Sequence, residues 1–226
     1  MKVKSKLVMQ APVHETFTVG ALLAIVGGFL DAYTYLLCGG VFANAQTGNI
    51  VLLSVSVAQG ELHRALYYIA PILAFVAGVF ITEWVKKKLT QAGMDIWEHF
   101  VLLIEFVLLL VIGFVPRSAP DGIINVMISF ICSMQVNSFR KIHAITYAST
   151  MCTGNLRSGT ENLFRYLEEG NKRAGKNAIH YFGIIAFFII GAVAGTVLSH
   201  EWGVKSVWVC CGILAVTFLK IANKAQ

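Results

Sequence analysis

Long apolar segments alternate with short polar ones along most of the chain. Six of the apolar segments approach the roughly 20 residues that a helix needs to cross about 30 Å of hydrocarbon. They occupy residues 17–38, 65–85, 97–115, 122–139, 178–198 and 204–221. The pattern predicts an all-α fold: a polytopic membrane protein with six transmembrane helices in a single membrane domain over residues 1–226.

Two further helices are predicted outside these spans. The apolar stretch 50–58 is about half as long as a span, so we expect it to be re-entrant or interfacial. Farther along, Arg157, Glu161, Arg165 and Glu169 follow one another at four-residue intervals with alternating charge, which is typical of a solvated helix face. An apolar face accompanies them at Leu156, Leu163, Phe164 and Leu167. This second segment is therefore predicted to be a surface helix.

The two halves of the chain repeat each other. The tripeptide Thr47-Gly48-Asn49 recurs 106 positions later as Thr153-Gly154-Asn155, and the same offset carries Asp31 onto Asn137. Two dipeptides also recur in order, Ala77-Gly78 as Ala194-Gly195 and Glu83-Trp84 as Glu201-Trp202. Ordered matches of this kind indicate that the halves are homologous.

This repetition predicts an inverted topology. Each half holds three spans, and an odd number of spans makes the second copy enter the membrane from the opposite face. We therefore expect two inverted three-helix repeats, over about 15–115 and 121–222, each with a short helix after its Thr-Gly-Asn motif.

The distribution of charge gives this arrangement an orientation. Hydrophobic residues make up 57% of the chain and charged residues only 13%, against about a quarter charged in an average soluble domain. With six spans, 15 of the 18 Lys and Arg residues fall on one side, leaving only Arg64, Arg117 and Lys205 on the other. Because the positive-inside rule places the basic side in the cytoplasm, both termini are expected there. No basic-aromatic face is present, so the expected partner is the lipid bilayer and not a nucleic acid.

The sequence lacks the common patterns of cofactor and enzyme chemistry. Its five cysteines are an odd number without CxxC spacing, so neither a disulfide framework nor a zinc site is expected. The six histidines show no paired-ligand spacing, and the GxSxG, GxGxxG and P-loop motifs are absent. We therefore expect no cofactor, no metal and no enzymatic activity.

Two carboxyl groups stand inside predicted spans. Asp31 lies in the first span and Glu105 in the third. An unpaired charge in hydrocarbon is costly, so such residues indicate an ion, proton or substrate path; the alternative is a protonated or hydrogen-bonded carboxyl that fixes helix packing. Asp31 also distinguishes the first apolar segment from the core of a signal peptide, and we expect that segment to be retained.

The repeated Thr-Gly-Asn motifs are the second group of candidates. Each motif precedes a predicted short helix, where Thr or Asn would cap exposed N–H groups and Gly would permit a sharp turn or the close approach of a ligand. A free helix N-terminus also suits a polar or anionic ligand. Plain capping and ligand binding both stay open for these segments.

Small residues recur at four-residue spacing in three predicted spans. Such stripes indicate close helix packing, because lipid provides no hydrophobic drive between helices, and they also suit a homodimer. They are Gly20-xxx-Ala24-xxx-Gly28, Ala74-xxx-Gly78 and Gly191-xxx-Gly195.

Segment 27–53, GGFLDAYTYLLCGGVFANAQTGNIVLL, resembles the YoaK-like family of uncharacterised bacterial membrane proteins (domain of unknown function 1275). In that family a glycine-rich first helix carries an aspartate and precedes a QTGN-like motif; here Gly28, Asp31 and residues 46–49 match. The resemblance implies a six-helix protein of the bacterial inner membrane and names no substrate. The second half departs from the pattern, since Asn137 stands at the position matching Asp31, so a carboxylate role does not extend to that side.

Together these observations favour a small secondary transporter or channel for a small polar or anionic solute. Its site would lie where the repeats meet, with Asp31 binding substrate or coupling protons. The candidate binding or coupling residues are Asp31, Gln46, Thr47, Gly48, Asn49, Glu105, Asn137, Thr153, Gly154 and Asn155. Two alternatives are a non-transporting scaffold or sensor that recruits a partner through segment 157–176, and an intramembrane enzyme that uses Asp31 and Glu105 as acid and base.

Overall fold

The computed structural model describes residues 13–94, 96–116, 118–143 and 145–223, which are almost entirely helical. A 3-10 helix, Val13–Glu15, precedes α1 (Phe17–Leu37), α2 (Gln46–Ala58), α3 (Leu62–Gln91), α4 (Trp97–Ile112) and α5 (Asp121–Ser138). A small hairpin of β1 (Lys141–Ile142) and β2 (Ile145–Thr146) follows. The chain then forms α6 (Cys152–Glu169), α7 (Lys172–Trp202), a 3-10 helix (Gly203–Val207) and α8 (Trp208–Ala222).

The described residues contain three segments long and apolar enough to cross a bilayer. They are Phe17–Leu37, Leu62–Gln91 and Lys172–Ala222, the last of which holds both α7 and α8. Helices also form at the two other predicted spans, but α4 has 16 residues and α5 has 18, at or below the usual spanning length. The fold is thus a helical membrane protein, with an apolar helix at each segment for which a span was predicted.

Contacts at helix ends show how the long helices run. At one end of the bundle, which we call the proximal end, the first residues of α1, α4 and α7 meet the last residues of α3 and α8. The contacts that define this end are His14 with Glu98, Phe17 with His180, Lys86 with Trp97 and His99 with Phe218. Residues near the start and end of the described chain therefore lie at the same end.

The opposite, distal end joins the other helix termini. The Asn125 amide near the start of α5 donates to the carbonyl of Cys38, just after α1. Trp208, which begins α8, donates its ring N–H to the carbonyl of Leu110, near the end of α4. Helices α1, α4 and α7 thus run from the proximal to the distal end, and α3, α5 and α8 run back.

The small-residue stripes form the closest helix crossings within the chain. A Cβ atom added at Gly28 would collide with the backbone of α7, and one at Gly191 or Gly195 would collide with the backbone of α1. A Cβ atom at Gly78, in α3, would collide with the backbone of α5. Close approach of this kind is the use that membrane helices make of glycine. These glycine faces therefore pack against other helices of the same chain.

The two short helices lie beside α3 and α7. In α6, Gly159 packs against Tyr181 and Phe182 of α7, and the apolar side chains of Phe164 and Leu167 stay exposed. In α2, Asn49 and Ser56 are buried while most apolar side chains face outward. The prediction of a surface helix after the second motif is confirmed, and the first motif also leads into a short helix.

Candidate functional site

Asp31 lies two thirds of the way along α1 and is 7% exposed. Its Oδ1 accepts a hydrogen bond from the backbone N–H of Asn44 at 3.1 Å. The Asn44 side chain turns back to α1 and donates to the carbonyl of Gly27 at 2.9 Å. One carboxyl group therefore holds the loop between α1 and α2 against the helix that carries it.

The other half of the chain contributes to the same loop. Gln46 donates its amide to the carbonyl of Ala43 at 2.8 Å and to the Ser129 hydroxyl of α5 at 3.3 Å. Ser129 in turn donates to the same Ala43 carbonyl at 2.6 Å. The loop that Asp31 holds is thus also fastened to α5.

A reciprocal contact fastens the loop before α6 to α1. Gln135 of α5 donates to the carbonyl of Leu23 in α1 at 3.3 Å and to the Ser149 hydroxyl at 2.7 Å. Positions 23 and 129 are 106 residues apart, as are positions 43 and 149. Each half therefore places the loop before its short helix against the first long helix of the other half.

The asparagines of the two motifs make matching contacts. Asn49 donates to the carbonyl of Phe42, seven residues earlier, at 3.4 Å. Asn155 donates to the carbonyl of Ala148, also seven residues earlier, at 2.7 Å, and its Oδ1 accepts from the Ala148 N–H at 3.2 Å. Both side chains fix the loop that leads into their own helix.

The expectation that the motifs cap their helices is wrong. The N-cap residues are Ala45 and Met151, which make no side-chain capping bond, and both motifs lie inside the first turn of α2 or α6. Thr47 and Thr153 are exposed, and in the described structure a Cβ atom added at Gly48 or Gly154 would meet no atom within 4 Å. Neither glycine has a positive φ angle, so neither is needed for a sharp turn.

Asn137 does not share the environment of Asp31. It is the penultimate residue of α5, and its amide donates to Glu83 Oε1 of α3 at 2.8 Å. Helix α1 continues for six residues beyond Asp31, whereas the β1–β2 hairpin replaces the corresponding part of α5. The sequence offset therefore matches Asp31 to a residue at the proximal end of the bundle.

Glu105 is buried in α4 and is 1% exposed. Neither of its carboxyl oxygens has a hydrogen-bond partner among the described residues. Among the described residues, no three His, Cys, Asp or Glu side chains are grouped so that they could hold a metal ion.

Two polar cavities open at the two ends of the bundle. The proximal cavity, of about 450 Å³, lies between the ends of α3 and α5, the start of α4 and the segment before α1. The distal cavity, of about 360 Å³, lies between the ends of α1 and α7, the 3-10 helix before α8 and the segment before α5. Corresponding elements of the two halves therefore build the two cavities, and Asp31 lies between them without lining either one.

Sequence reasoning missed the residues that connect the predicted ones. Asn44, Ser129, Gln135 and Ser149 are all buried and hydrogen-bonded, and the first three have apolar or small neighbours on both sides. Isolated polar residues in apolar stretches are expensive to bury without partners, and this is the feature by which they could have been found.

Comparisons with known proteins assign the family. The chain is 24% identical over 219 residues to the UPF0700 transmembrane protein YoaK of Bacillus subtilis (strain 168), which covers 92% of this chain and 96% of that protein. No solved structure matches the chain. Residues 19–220 match the family described as Protein of unknown function (DUF1275). This match spans α1 to α8 and includes Asp31 and both Thr-Gly-Asn motifs, and the chain accordingly belongs to that family of membrane proteins.

Proposed function

We propose that the chain is a small secondary transporter or channel for a small polar or anionic solute, built from two inverted three-helix repeats. In this proposal the six long helices cross the bacterial inner membrane with both termini in the cytoplasm. The solute is bound or coupled at the Asp31 loop, where the two halves exchange contacts.

The pair of cavities is the observation that carries the proposal. Elements that correspond in the two halves build one cavity at each end of the bundle. Inverted repeats allow two related conformations, each open to one face of the membrane, when one repeat moves against the other. A buried group between the cavities would then face each side in turn.

Asp31 suits the role of that group. It is the carboxyl group of an apolar helix, and in the described part of the chain it accepts its hydrogen bond from a loop backbone and not from a cation. Intramembrane carboxyl groups that face a bundle interior commonly mark ion, proton or substrate paths. In this proposal, movement of the loop around residues 42–45, whose Asn44 N–H group bonds Asp31, uncovers the carboxyl group.

Alternation of helix direction supports the six-span topology. Helices α1, α4 and α7 begin at the proximal end, where residues such as Lys86, Arg140 and Lys172 are also exposed. By the positive-inside rule this end faces the cytoplasm. Reporter fusions test it: a fusion at Gln226 should give a cytoplasmic signal and one at Arg117 a periplasmic signal, and the reverse result at either position would contradict the topology.

Flux measurements test the function itself. The purified protein would be reconstituted in liposomes and assayed by light scattering for uptake of acetate, lactate, glycine, glycerol and urea. We expect uptake of at least one solute above protein-free liposomes and its loss in Asp31→Asn, while Glu168→Gln, an exposed carboxyl change on α6, transports normally. Equal uptake by liposomes with and without protein across the panel would favour a scaffold or sensor.

A further inference from the structure

The proximal cavity is lined by basic and polar side chains that have no role in the proposed transport site. It lies where the apolar helices end, at the same depth as Trp97, a residue type that favours the membrane interface. Its lining comes from four separate elements and the segment before α1. The lining residues that matter here are Lys86, Trp97, Glu98, Ser138, Arg140 and Lys141, together with His14 and Glu15.

Cationic side chains outnumber unpaired carboxyl groups around this cavity. Lys86, Arg140 and Lys141 are all exposed, and the Lys86 ammonium lies 4.5 Å from the centre of the Trp97 ring. Of the two carboxyl groups in the lining, Glu98 is paired with His14, whose Nε2 lies 3.5 Å from Glu98 Oε1. The cavity therefore presents an excess of positive charge.

A buried hydroxyl group in the lining has no partner. Ser138 is 6% exposed, and within the described residues its Oγ makes no hydrogen bond. Leaving a buried hydroxyl unpaired costs about 1–3 kcal/mol, so native proteins seldom do it without a ligand or water to accept the bond. Ser138 lines the cavity, so rotation of its side chain would bring this donor within reach of a ligand oxygen there.

The N-terminus of α4 adds a third feature that favours an anion in the proximal cavity. Its N-cap residue, Ile96, supplies no side-chain acceptor for the first N–H groups of the helix. Such a helix end carries partial positive charge and favours an anion. The distal cavity provides a contrast, because its ionisable lining residues are Asp121 and His200 and no Lys or Arg is among the described residues that line it.

We propose that the proximal cavity binds a phosphate group, supplied either by the headgroup of an anionic phospholipid or by a soluble phosphate compound. Arg140 and Lys141 pair with the phosphate oxygens, and Ser138 donates a hydrogen bond to one of them. Basic pockets between membrane helices bind lipid headgroups by this chemistry. The inference is independent of the proposed function, since binding at this cavity requires no transport.

Binding can be measured on the purified full-length protein without any flux. In neutral detergent, inorganic phosphate at millimolar concentration would be tested for a rise in Tm, with sodium chloride at equal ionic strength as the control for screening. In parallel, retention of phosphatidylglycerol against phosphatidylcholine would be measured by native mass spectrometry. We expect Arg140→Gln, Lys141→Gln and Ser138→Ala each to weaken binding by roughly tenfold.

Lys205→Gln is the matched control, because this exposed lysine lies near the distal end and should leave binding unchanged. Retention of phosphatidylglycerol alone assigns the site to a lipid, a Tm rise with phosphate alone assigns it to a soluble compound, and both results together support the shared chemistry. Absence of both effects, or binding that Arg140→Gln and Ser138→Ala leave unchanged in folded protein, would overturn the proposal. Elution of the variants at the wild-type volume in size-exclusion chromatography shows that they are folded.

Discussion

Helices α2 and α6 carry the same Thr-Gly-Asn motif in their first turn, but the loops that precede them are held differently. In both, the motif asparagine reaches back seven residues to a backbone carbonyl and fixes the preceding loop. Among the described residues, only the loop before α2 is also held by a carboxyl group, through the bond from the Asn44 N–H to Asp31. At the position corresponding to Asn44 the second half has Thr150, whose hydroxyl meets the Cys132 thiol at 3.7 Å.

This difference distinguishes contacts that stabilise the fold in both halves from a contact that occurs in the first half and involves an ionisable group. The contacts that occur in both halves need no ligand to explain them, because they satisfy buried backbone groups. The Asp31 contact occurs once and places an ionisable group in an apolar bundle, where it is costly unless it has a use. We therefore propose that the repeated asparagines are structural and that Asp31 is the functional residue.

The largest expected effect comes from removing the asparagine of the second motif. Asn155→Ala deletes two hydrogen bonds to the backbone of the half-buried Ala148 and leaves its N–H and carbonyl groups without that partner. We expect the free energy of unfolding to fall by about 2–3 kcal/mol. Thermal unfolding in detergent would measure it.

Asn49→Ala is the matched variant in the first half. Its bond to Phe42 is longer, and its other partner, Gln46, keeps its own bonds to Ala43 and Ser129. A loss of about 1 kcal/mol is expected. Equal losses of unfolding free energy in Asn155→Ala and Asn49→Ala would show that the two asparagines stabilise their loops equally, contrary to this expectation.

Asn44→Ala should lower the stability about as much as Asn49→Ala does, through a change confined to the first loop. The change deletes the bond to the Gly27 carbonyl but keeps the backbone N–H that Asp31 accepts, so we expect a loss of about 1 kcal/mol. Thr150→Val, which removes only the hydroxyl that meets the Cys132 thiol, should cost less. Chemical denaturation of the two variants side by side measures the difference, and a larger loss in Thr150→Val would show that the second loop depends more on this position.

Gly48→Ala and Gly154→Ala should have the smallest effect on stability. Both positions are helical and open in the described structure, so alanine should stabilise the protein by up to about 1 kcal/mol through its higher helix propensity. The same variants test whether a ligand approaches the motif. Loss of solute uptake without loss of stability in Gly48→Ala alone would assign ligand contact to the first motif, while unchanged uptake in both would leave the motifs structural.

The apolar pattern predicted the helices well but not their full lengths. Helix α3 runs from Leu62 to Gln91, well past the predicted 65–85, because Lys86, Lys87 and Lys88 are good helix formers that continue the helix outside the apolar segment. Hydropathy reports how much of a helix is apolar, not where its hydrogen bonds end. The hairpin at 141–146 escaped prediction since its strands have only two residues each.

The sequence pattern was sufficient to predict Asp31 and the repeated motifs as candidate residues. It was not sufficient to predict the hydrogen bonds that connect the two halves. Asp31 and the motifs stood out because of a charge in an apolar segment and a recurring tripeptide. The capping role failed because it needs the motif just outside the helix, and sequence places a helix start only to within a few residues. The contacts of Ser129 with Ala43 and of Gln135 with Leu23 depend on which helices pack together, and no local sequence pattern shows this.

Proton movement in liposomes tests whether Asp31 binds the solute or couples its uptake to protons. Liposomes loaded with a pH-sensitive dye would contain wild-type protein, Asp31→Asn or the control Glu168→Gln, and the internal pH would be followed after the transported solute is added. The asparagine side chain can still accept the Asn44 N–H bond, so the variant should fold with a near-normal Tm. We expect proton-linked uptake to fall by roughly tenfold or more in Asp31→Asn, which corresponds to at least about 1.4 kcal/mol of lost interaction. Uptake at the wild-type rate with unchanged pH dependence would contradict it and make Asp31 a structural residue.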